Sequence, residues 1–436
     1  MTAEAEDCSY LEPQPDADLA SWLADLARSV RTGDHVLSLG RARNHDEPLV
    51  FCEWDGRWRT GRYVGSIRFK GRTLTIRPRL GLNTLRNWLA QANNLLFVES
   101  PGELQEDASF IAELVARVWA HGLADAARHG LPALRADHVN IGRAVRGRLD
   151  VSSTVTSRAI VHQQLVSIRR ERTLDNPIAR TIACAYFVLR RWIGTGRDRA
   201  WLPQRCQELL PQLLAATGPS PELPSESELG RIRYTPITQR YRRFVRLSWQ
   251  IARQRGLFAD TAAEGQSKGV LLDVAELWEL YVISVLREAA HPRVVAHGTH
   301  DEQGRDFLLY SELDGSPLAE LRPDAVVHER GRTCCVLDAK YKFLRDWPGP
   351  AREDLYQLGA YVMRFGAVGP LWGALIYPQD PNNSAATEAE LKSPWRVDTA
   401  RVVSLVTIPH EPHLAIAKLR TILADRFQTN SMQTAR

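Results

Sequence analysis

The sequence predicts an α/β C-terminal domain built on a mixed central sheet, preceded by a β-rich N-terminal region and a helical middle region. Three observations predict it. The 436 residues exceed one ordinary domain. The apolar period is two early in the chain and helical through its middle. The last third then runs helix, strands, helix, strand, strand, helix, an order that lays helices on a sheet. Hydrophobic residues make up 44% and charged residues 25%, enough to bury real cores in a globular chain.

Residues 1–34 read as an acidic, proline-containing leader, poorly ordered over 1–18, followed by a short helix over 19–31. Residues 35–100 form the β-rich region. Asp55-Gly56 and Lys70-Gly71 mark tight turns, TGRYVGSIRF and RTLTIRP alternate as half-buried strands do, and Pro78 ends the last of them. Helical spacing sets in at 82 and runs to 127. The middle region, 101–262, holds a basic turn, Arg146-Gly147-Arg148-Leu149-Asp150. It also holds an Asn176-Pro177 pair suited to open an apolar helix reaching 193. Helical patterning continues to 214, TGPSPELPSESELG (217–230) reads as a linker, and an arginine-bearing helix follows over 238–255. The C-terminal domain, 263–436, begins with a helix over 270–290. Strands follow near 305–311, 320–328 and 333–342, then a helix over 352–365, strands at LWGALIYP and RVVSLVTIP, and a last helix over 412–427.

Lysine and arginine total 56 against 51 acidic residues, a net charge of +5 that permits a nucleic-acid partner without demanding one. Most of the basic residues are arginine, which grips phosphate with a planar fork, although a GC-rich coding sequence gives the same bias. None of the six cysteines forms a CxxC pair. Cys334 and Cys335 are neighbours in a strand and point to opposite faces, a poor metal clamp, so all six read as reduced thiols of a cytosolic protein. The first twenty residues lack the apolar core of a signal peptide, and no apolar run is long enough to span a membrane. No GxxxxGK[ST] motif is present, so nucleotide hydrolysis is not expected of this chain.

The chemistry concentrates in LAELRPDAVVHERGRTCCVLDAKYKF (318–343). Two apolar runs flank a polar turn, Glu329-Arg330-Gly331-Arg332, which predicts a β-hairpin. A turn centred between Arg330 and Gly331 sets Asp324 opposite Leu337 or Asp338, within a bulge's uncertainty. Asp338 and Lys340, two apart, share a strand face. Like charges gathered this way cost stability, and a hard cation removes the repulsion. Mg2+ takes one or two carboxylates, waters and a phosphate, so Asp324 and Asp338 are candidate ligands, with the backbone carbonyl of Ala339 a third. Lys340 is suited to orient a water or to stabilise developing charge. Upstream, LLDVAELWELYVISVL (271–286) is apolar on nearly every side, so a carboxylate there needs a partner. Glu276 and Glu279 are the candidates. His328 alternates with Val327 as an ordinary strand residue and is given no role.

RPD (322–324) followed by LDAK (337–340) resembles the PD-(D/E)xK nuclease signature, and DLYQLGAY (354–361) resembles the QxxxY motif of its RecB-like members. The resemblance implies that Gln357 and Tyr361, one helical turn apart with Asp354 on the same face, contact the phosphate backbone and brace the site. Leu277-Trp278-Glu279 resembles the L-[FW]-E of the first helix of such domains, which implies Glu279 as a further metal ligand. Over most of its length the chain is similar to the McrC family, nuclease subunits of McrBC-like modification-dependent restriction systems. The loosest of the matching parts are YVGSIRFKGRTLTIRPRLG (63–81), the RGRLD turn and LDNPIARTI (174–182). The family resemblance implies a DNA endonuclease of antiviral defence, dependent on Mg2+ with Mn2+ able to replace it. It implies a partner ring of AAA+ GTPase subunits that recognises modified double-stranded DNA, and docking of the N-terminal region into that ring to stimulate its GTPase. Two alternatives stand beside it. One is a non-catalytic GTPase-activating adaptor with a nuclease-like fold, against which the intact D…DxK argues. The other is a stand-alone RecB-like repair nuclease, which would not need the long N-terminal half.

Overall fold

The computed structural model describes residues 2–30, 32, 36–37, 47–92, 109–156, 159–193, 201–253, 268–298, 302–345, 349–366, 370–383 and 385–434. The chain forms two compact units, residues 1–102 together with 269–436, and residues 103–268. The sequence divides naturally into consecutive regions. The fold instead makes its N-terminal and C-terminal segments parts of one body, because the strand Lys268–Asp273 lies beside Tyr63–Phe69 in a single sheet.

That sheet of the first unit runs Thr2–Glu6, Arg72–Arg77, Tyr63–Phe69, Lys268–Asp273, Val36–Leu37. Its central hairpin closes on Lys70-Gly71, both at positive φ (45° and 75°), as a two-residue turn matched to strand twist requires. The leader expected to be poorly ordered is an edge strand, Thr2–Glu6, parallel to Arg72–Arg77. Composition hid this. TAEAE is acidic, but it alternates, so Ala3 and Ala5 pack on the core while Glu4 reaches Arg77 at 3.0 Å. Helix Ala17–Ser29, capped by Asp16, buries Trp22, Leu23 and Leu26 in the same core.

A second sheet in this unit has the order Val294–Ala296, Ala325–Glu329, Arg332–Ala339, Leu371–Pro378, Arg401–Ile408, Trp395–Arg396. It is mixed, with the hairpin antiparallel and the three central strands parallel. Every residue of Leu371–Pro378 is buried, as a parallel strand covered on both faces should be. Helix Arg352–Phe365 packs on one face through Leu358, Tyr361 and Val362. Helices Val274–Ala290 and Pro412–Thr434 pack on each other and on strands of the sheet. Helix Leu82–Ala92 joins Val274–Ala290 through Trp88, whose ring centroid lies 4.8 Å from Trp278 and 5.5 Å from Tyr281.

Three expected elements differ. The helix expected from 270 begins at Val274. KGVLLD is a strand, and Asp273 ends it by accepting hydrogen bonds from the N–H groups of Ala275 and Glu276. The helix expected over 82–127 is two, Leu82–Ala92 and Ser109–Ala126, with 93–108 outside the described residues. The strand expected near 320–328 is also two. Pro317–Leu321 pairs with Asp306–Tyr310 in a separate ribbon, and Ala325–Glu329 joins the large sheet.

The second unit gathers helices Ser109–Ala126, Pro177–Ile193, Gln204–Thr217 and Tyr241–Arg253 around Trp119, Tyr186, Trp201 and Phe244. Asn176 caps the second of these, its Oδ1 accepting from Ile178 and Ala179. Strand Leu165–Thr173 pairs with Leu134–Gly142 and Arg148–Leu149. The RGRLD turn depends on its glycine. Gly147 has φ +91°, and a Cβ there would lie 2.5 Å from the Ile168 carbonyl oxygen. The linker stretch contains a short helix, Glu226–Gly230, with a capping box on Ser225. All six cysteines are free thiols. Among the described residues no helix is long and apolar enough to cross a membrane.

Candidate active site

The hairpin Ala325–Glu329/Arg332–Ala339 turns on Arg330-Gly331, both at positive φ (51° and 80°). A register shift between Val327 and His328 then moves the pairing by one residue, so that Ala325 faces Leu337. Asp324 immediately precedes strand Ala325–Glu329, and its charge acts on Asp338. Asp324 Oδ2 accepts a hydrogen bond from the Ala339 N–H at 2.7 Å, which fixes the carboxylate against the strand end.

Asp338 lies on the sheet face covered by helix Arg352–Phe365, since Val336, two residues before it, packs with Leu358, Tyr361 and Val362. Asp338 is therefore buried, 3% exposed. Burial, then the nearby Asp324 charge, pushes its carboxyl from 3.8 up to about 7, against the pull of Lys340. Lys340 Nζ lies 2.5 Å from Asp338 Oδ2 and 3.6 Å from Asp354 Oδ1. Burial opposes the ammonium charge, but Asp338, Asp354 and Asp324 around it carry the net shift upward, so Lys340 is cationic. Its Nζ also donates to Gln357 Oε1 at 2.8 Å, and Gln357 Nε2 donates to the Tyr361 hydroxyl at 2.8 Å. Tyr361 in turn donates to the Arg322 carbonyl at 3.4 Å, closing the chain of contacts on the RPD segment. Burial and the Asp338, Asp324 and Glu279 charges raise the Tyr361 phenol, which holds it as a neutral donor.

Asp324, Asp338, Lys340, Gln357 and Tyr361 are thus brought together. Asp354, which sequence spacing marks only as sharing a face with Gln357 and Tyr361, is buried by the same helix and pairs with both Lys340 and Lys342. Its position one turn before Gln357 was the available signal. Tyr377, buried on the neighbouring strand and raised by burial and by the charges of Asp354 and Asp338, was missed because LWGALIYP reads only as a core strand.

Glu279 reaches this group through its charge, which acts on Tyr361. Glu276 and Glu279 are both buried on helix Val274–Ala290, at 4% and 5% exposure. Glu279 Oε1 is 3.1 Å from His297 Nε2, and both side chains are nearly dry. Nothing in the sequence near His297 marked it. Among the described residues no set of three His, Cys, Asp or Glu side chains is arranged around a common point for an ion. Asp324 and Asp338 are the two carboxylates whose charges act on each other directly. Burial and then the Asp324 charge raise the Asp338 carboxyl, a cost that a cation shared by the two carboxylates would remove. Two carboxylates are a donor set that Mg2+ takes when phosphate and water fill its remaining positions.

A family model described as McrBC 5-methylcytosine restriction system component matches residues 58–378 of this chain. No curated protein matches it. The fold is similar to that of a chain in the refined half-complex from the tetradecameric assembly of Thermococcus gammatolerans McrB AAA+ hexamers with bound McrC. The two share 17% identity with a TM-score of 0.55, covering 98% of this chain and 99% of that one. A chain from a cryo-EM structure of the Thermococcus gammatolerans McrBC complex aligns at 16% identity and a TM-score of 0.37, over 66% of this chain and 88% of that one. The fold likeness rests on the first of these.

Proposed function

The chain belongs to the McrC family of McrBC restriction-system components, and from that premise we propose that it is a Mg2+-dependent DNA endonuclease with a PD-(D/E)xK centre, acting with an AAA+ GTPase ring in antiviral defence. One observation carries the reading. Asp324, anchored on the Ala339 N–H, acts by its charge on the buried Asp338, and Lys340 is held by Asp338, Asp354 and Gln357.

In this reading Asp324, Asp338 and the Ala339 carbonyl hold the ion. Bound there, Mg2+ (or Mn2+) supplies charge to the scissile phosphate and acidifies a coordinated water. The protein does the rest. Asp338 must release its proton to bind the ion, and the ion's charge offsets the Asp324–Asp338 repulsion. Lys340, steered by Gln357, points a cation at the developing negative charge or orients the attacking water. Tyr361 and Gln357 keep that steering rigid, because each is satisfied by the next group in the chain of contacts. Glu279, which pairs with His297 and whose charge reaches Tyr361, is the further ligand that the motif resemblance implies.

The AAA+ partner is inferred from the Thermococcus complex. The surface that meets it we place on the second unit. In residues 35–100, the expected docking region, Trp54 is exposed, but the strands bury Tyr63, Val64, Ile67, Leu74 and Ile76 within the first unit. Strand Leu134–Gly142, by contrast, leaves Val139 and Ile141 exposed and lies beside the exposed Arg169 and Arg170.

The test uses the full chain with its GTPase partner, a 5-methylcytosine-bearing plasmid, Mg2+ and GTP. Lys340→Ala and Asp338→Ala should each slow cleavage by about 10²–10³-fold or more while GTPase stimulation persists. Cleavage at the wild-type rate by either variant would end the nuclease reading.

A further inference from the structure

Resting on that nuclease reading, we propose that Arg79 is a positioning residue for Lys340, and that the N-terminal edge strand belongs functionally to the active site because it holds Arg79 in place.

The chain leaves the large sheet immediately after Lys340. The Lys340 N–H still donates to the Ile376 carbonyl at 2.8 Å, but Lys342 N–H already turns back to the Lys340 carbonyl at 2.9 Å. Tyr341 sits at this corner, and its setting is built by residues from the other end of the chain. Arg79 Nη2 donates to the Tyr341 carbonyl at 3.2 Å. Its guanidinium carbon lies 4.6 Å from the Tyr341 ring centroid and 4.7 Å from that of Phe343, so one arginine grips the backbone and both aromatic faces of the turn. Trp88 meets the Tyr341 ring edge-on at 6.1 Å.

Arg79 is itself fixed. Its side chain is only 13% exposed, and its Nε lies 3.8 Å from Asp7 Oδ2. Its backbone N–H donates to Asp7 Oδ1 at 2.7 Å. Asp7 is fully buried and directly follows the strand Thr2–Glu6, with its own N–H donating to the Arg77 carbonyl at 2.9 Å. A buried acid paired with a buried arginine is a costly arrangement to keep for stability alone. Here it links the seating of the first seven residues to the corner next to the proposed catalytic lysine. An ammonium misplaced by about 1 Å at that corner costs up to about 10²-fold in rate.

The experiment compares kcat and KM for the methylated plasmid, and GTPase stimulation, in the assembled complex. Arg79→Ala should lower kcat by about 10- to 100-fold, with KM for the plasmid and GTPase stimulation unchanged. Arg79→Lys, which keeps the charge but loses the two-sided grip, should fall between Arg79→Ala and wild type, and decides the matter if Arg79→Ala does not fold. Leu23→Ala, in the same N-terminal core but away from the corner, controls for stability and should keep wild-type kcat at a temperature where it is folded. An equal kcat loss in Leu23→Ala, or a wild-type kcat in folded Arg79→Lys and Arg79→Ala beside an inactive Lys340→Ala, would overturn the role of Arg79 alone. A Lys340→Ala chain that still cuts would overturn the nuclease reading beneath it.

Discussion

The choice of lysine at position 340 is informative because this chain hardly uses lysine. Of 56 basic residues only six are lysines, and two of those, Lys340 and Lys342, flank one corner of the site. A compact ammonium fits between Asp338, Asp354 and Gln357 where a planar guanidinium would need a different set of acceptors. The acid opposite it gives a prediction that needs no metal and no substrate. The Asp338 carboxyl stands at about 7 against an ordinary 3.8. Between those values the unfolded chain has lost its proton and the folded chain has kept it. Stability therefore falls as pH rises through that window, and the cost remains above it. In EDTA, Asp338→Asn should melt a few degrees above wild type at pH 8, with the gain fading toward about pH 4. Equal melting at pH 8 would mean that the folded protein does not penalise the charge. These residues were legible in sequence because a hairpin with a definable turn turns spacing into geometry. Asp324, Asp338 and Lys340 needed only the turn centre and the strand period. The Glu279–His297 pair was not legible, because it joins a helix to a strand end and no local periodicity relates them.

At the scale of elements, alternation and turn chemistry carried furthest, and composition misled. The hairpins at Lys70-Gly71 and Arg330-Gly331 and the Asn176 cap follow from local rules. The strand Thr2–Glu6 was missed because its acidic content outweighed its alternation. VLLD (270–273) reads as the start of the helix after it because its pairing partner lies some two hundred residues earlier. The sheet of the second unit offers a test of the docking surface. Charge reversal at Arg169 and Arg170 should cut GTPase stimulation at least several-fold while leaving the fold intact, since exposed substitutions seldom cost more than about 0.5 kcal/mol. Unchanged stimulation, measured as GTP turnover by the partner, would move the contact elsewhere. Gly147→Ala should instead destabilise the unit itself by about 1–3 kcal/mol, because the Ile168 carbonyl leaves no room for a Cβ at this positive φ.

At the scale of the molecule, the first unit is assembled from both ends of the sequence, with the second inserted between them. A boundary at 263 therefore does not excise an independent body. Residues 269–436 alone would carry strand Gly269–Asp273 without its neighbour Tyr63–Phe69 and would leave Trp278 and Tyr281 without Trp88. We expect that fragment to be insoluble when expressed alone and to be recovered when residues 1–102 are supplied with it. A soluble, monodisperse 269–436 fragment would refute this. During synthesis the same topology imposes an order. The opening segment leaves the ribosome with a gap in its sheet that only residues near 270 fill, after the whole inserted unit has emerged. A ribosome that stalls before then releases a polypeptide whose first sheet is open, so under the proposed nuclease reading an incomplete product would carry no assembled centre that could harm the genome of the cell that makes it.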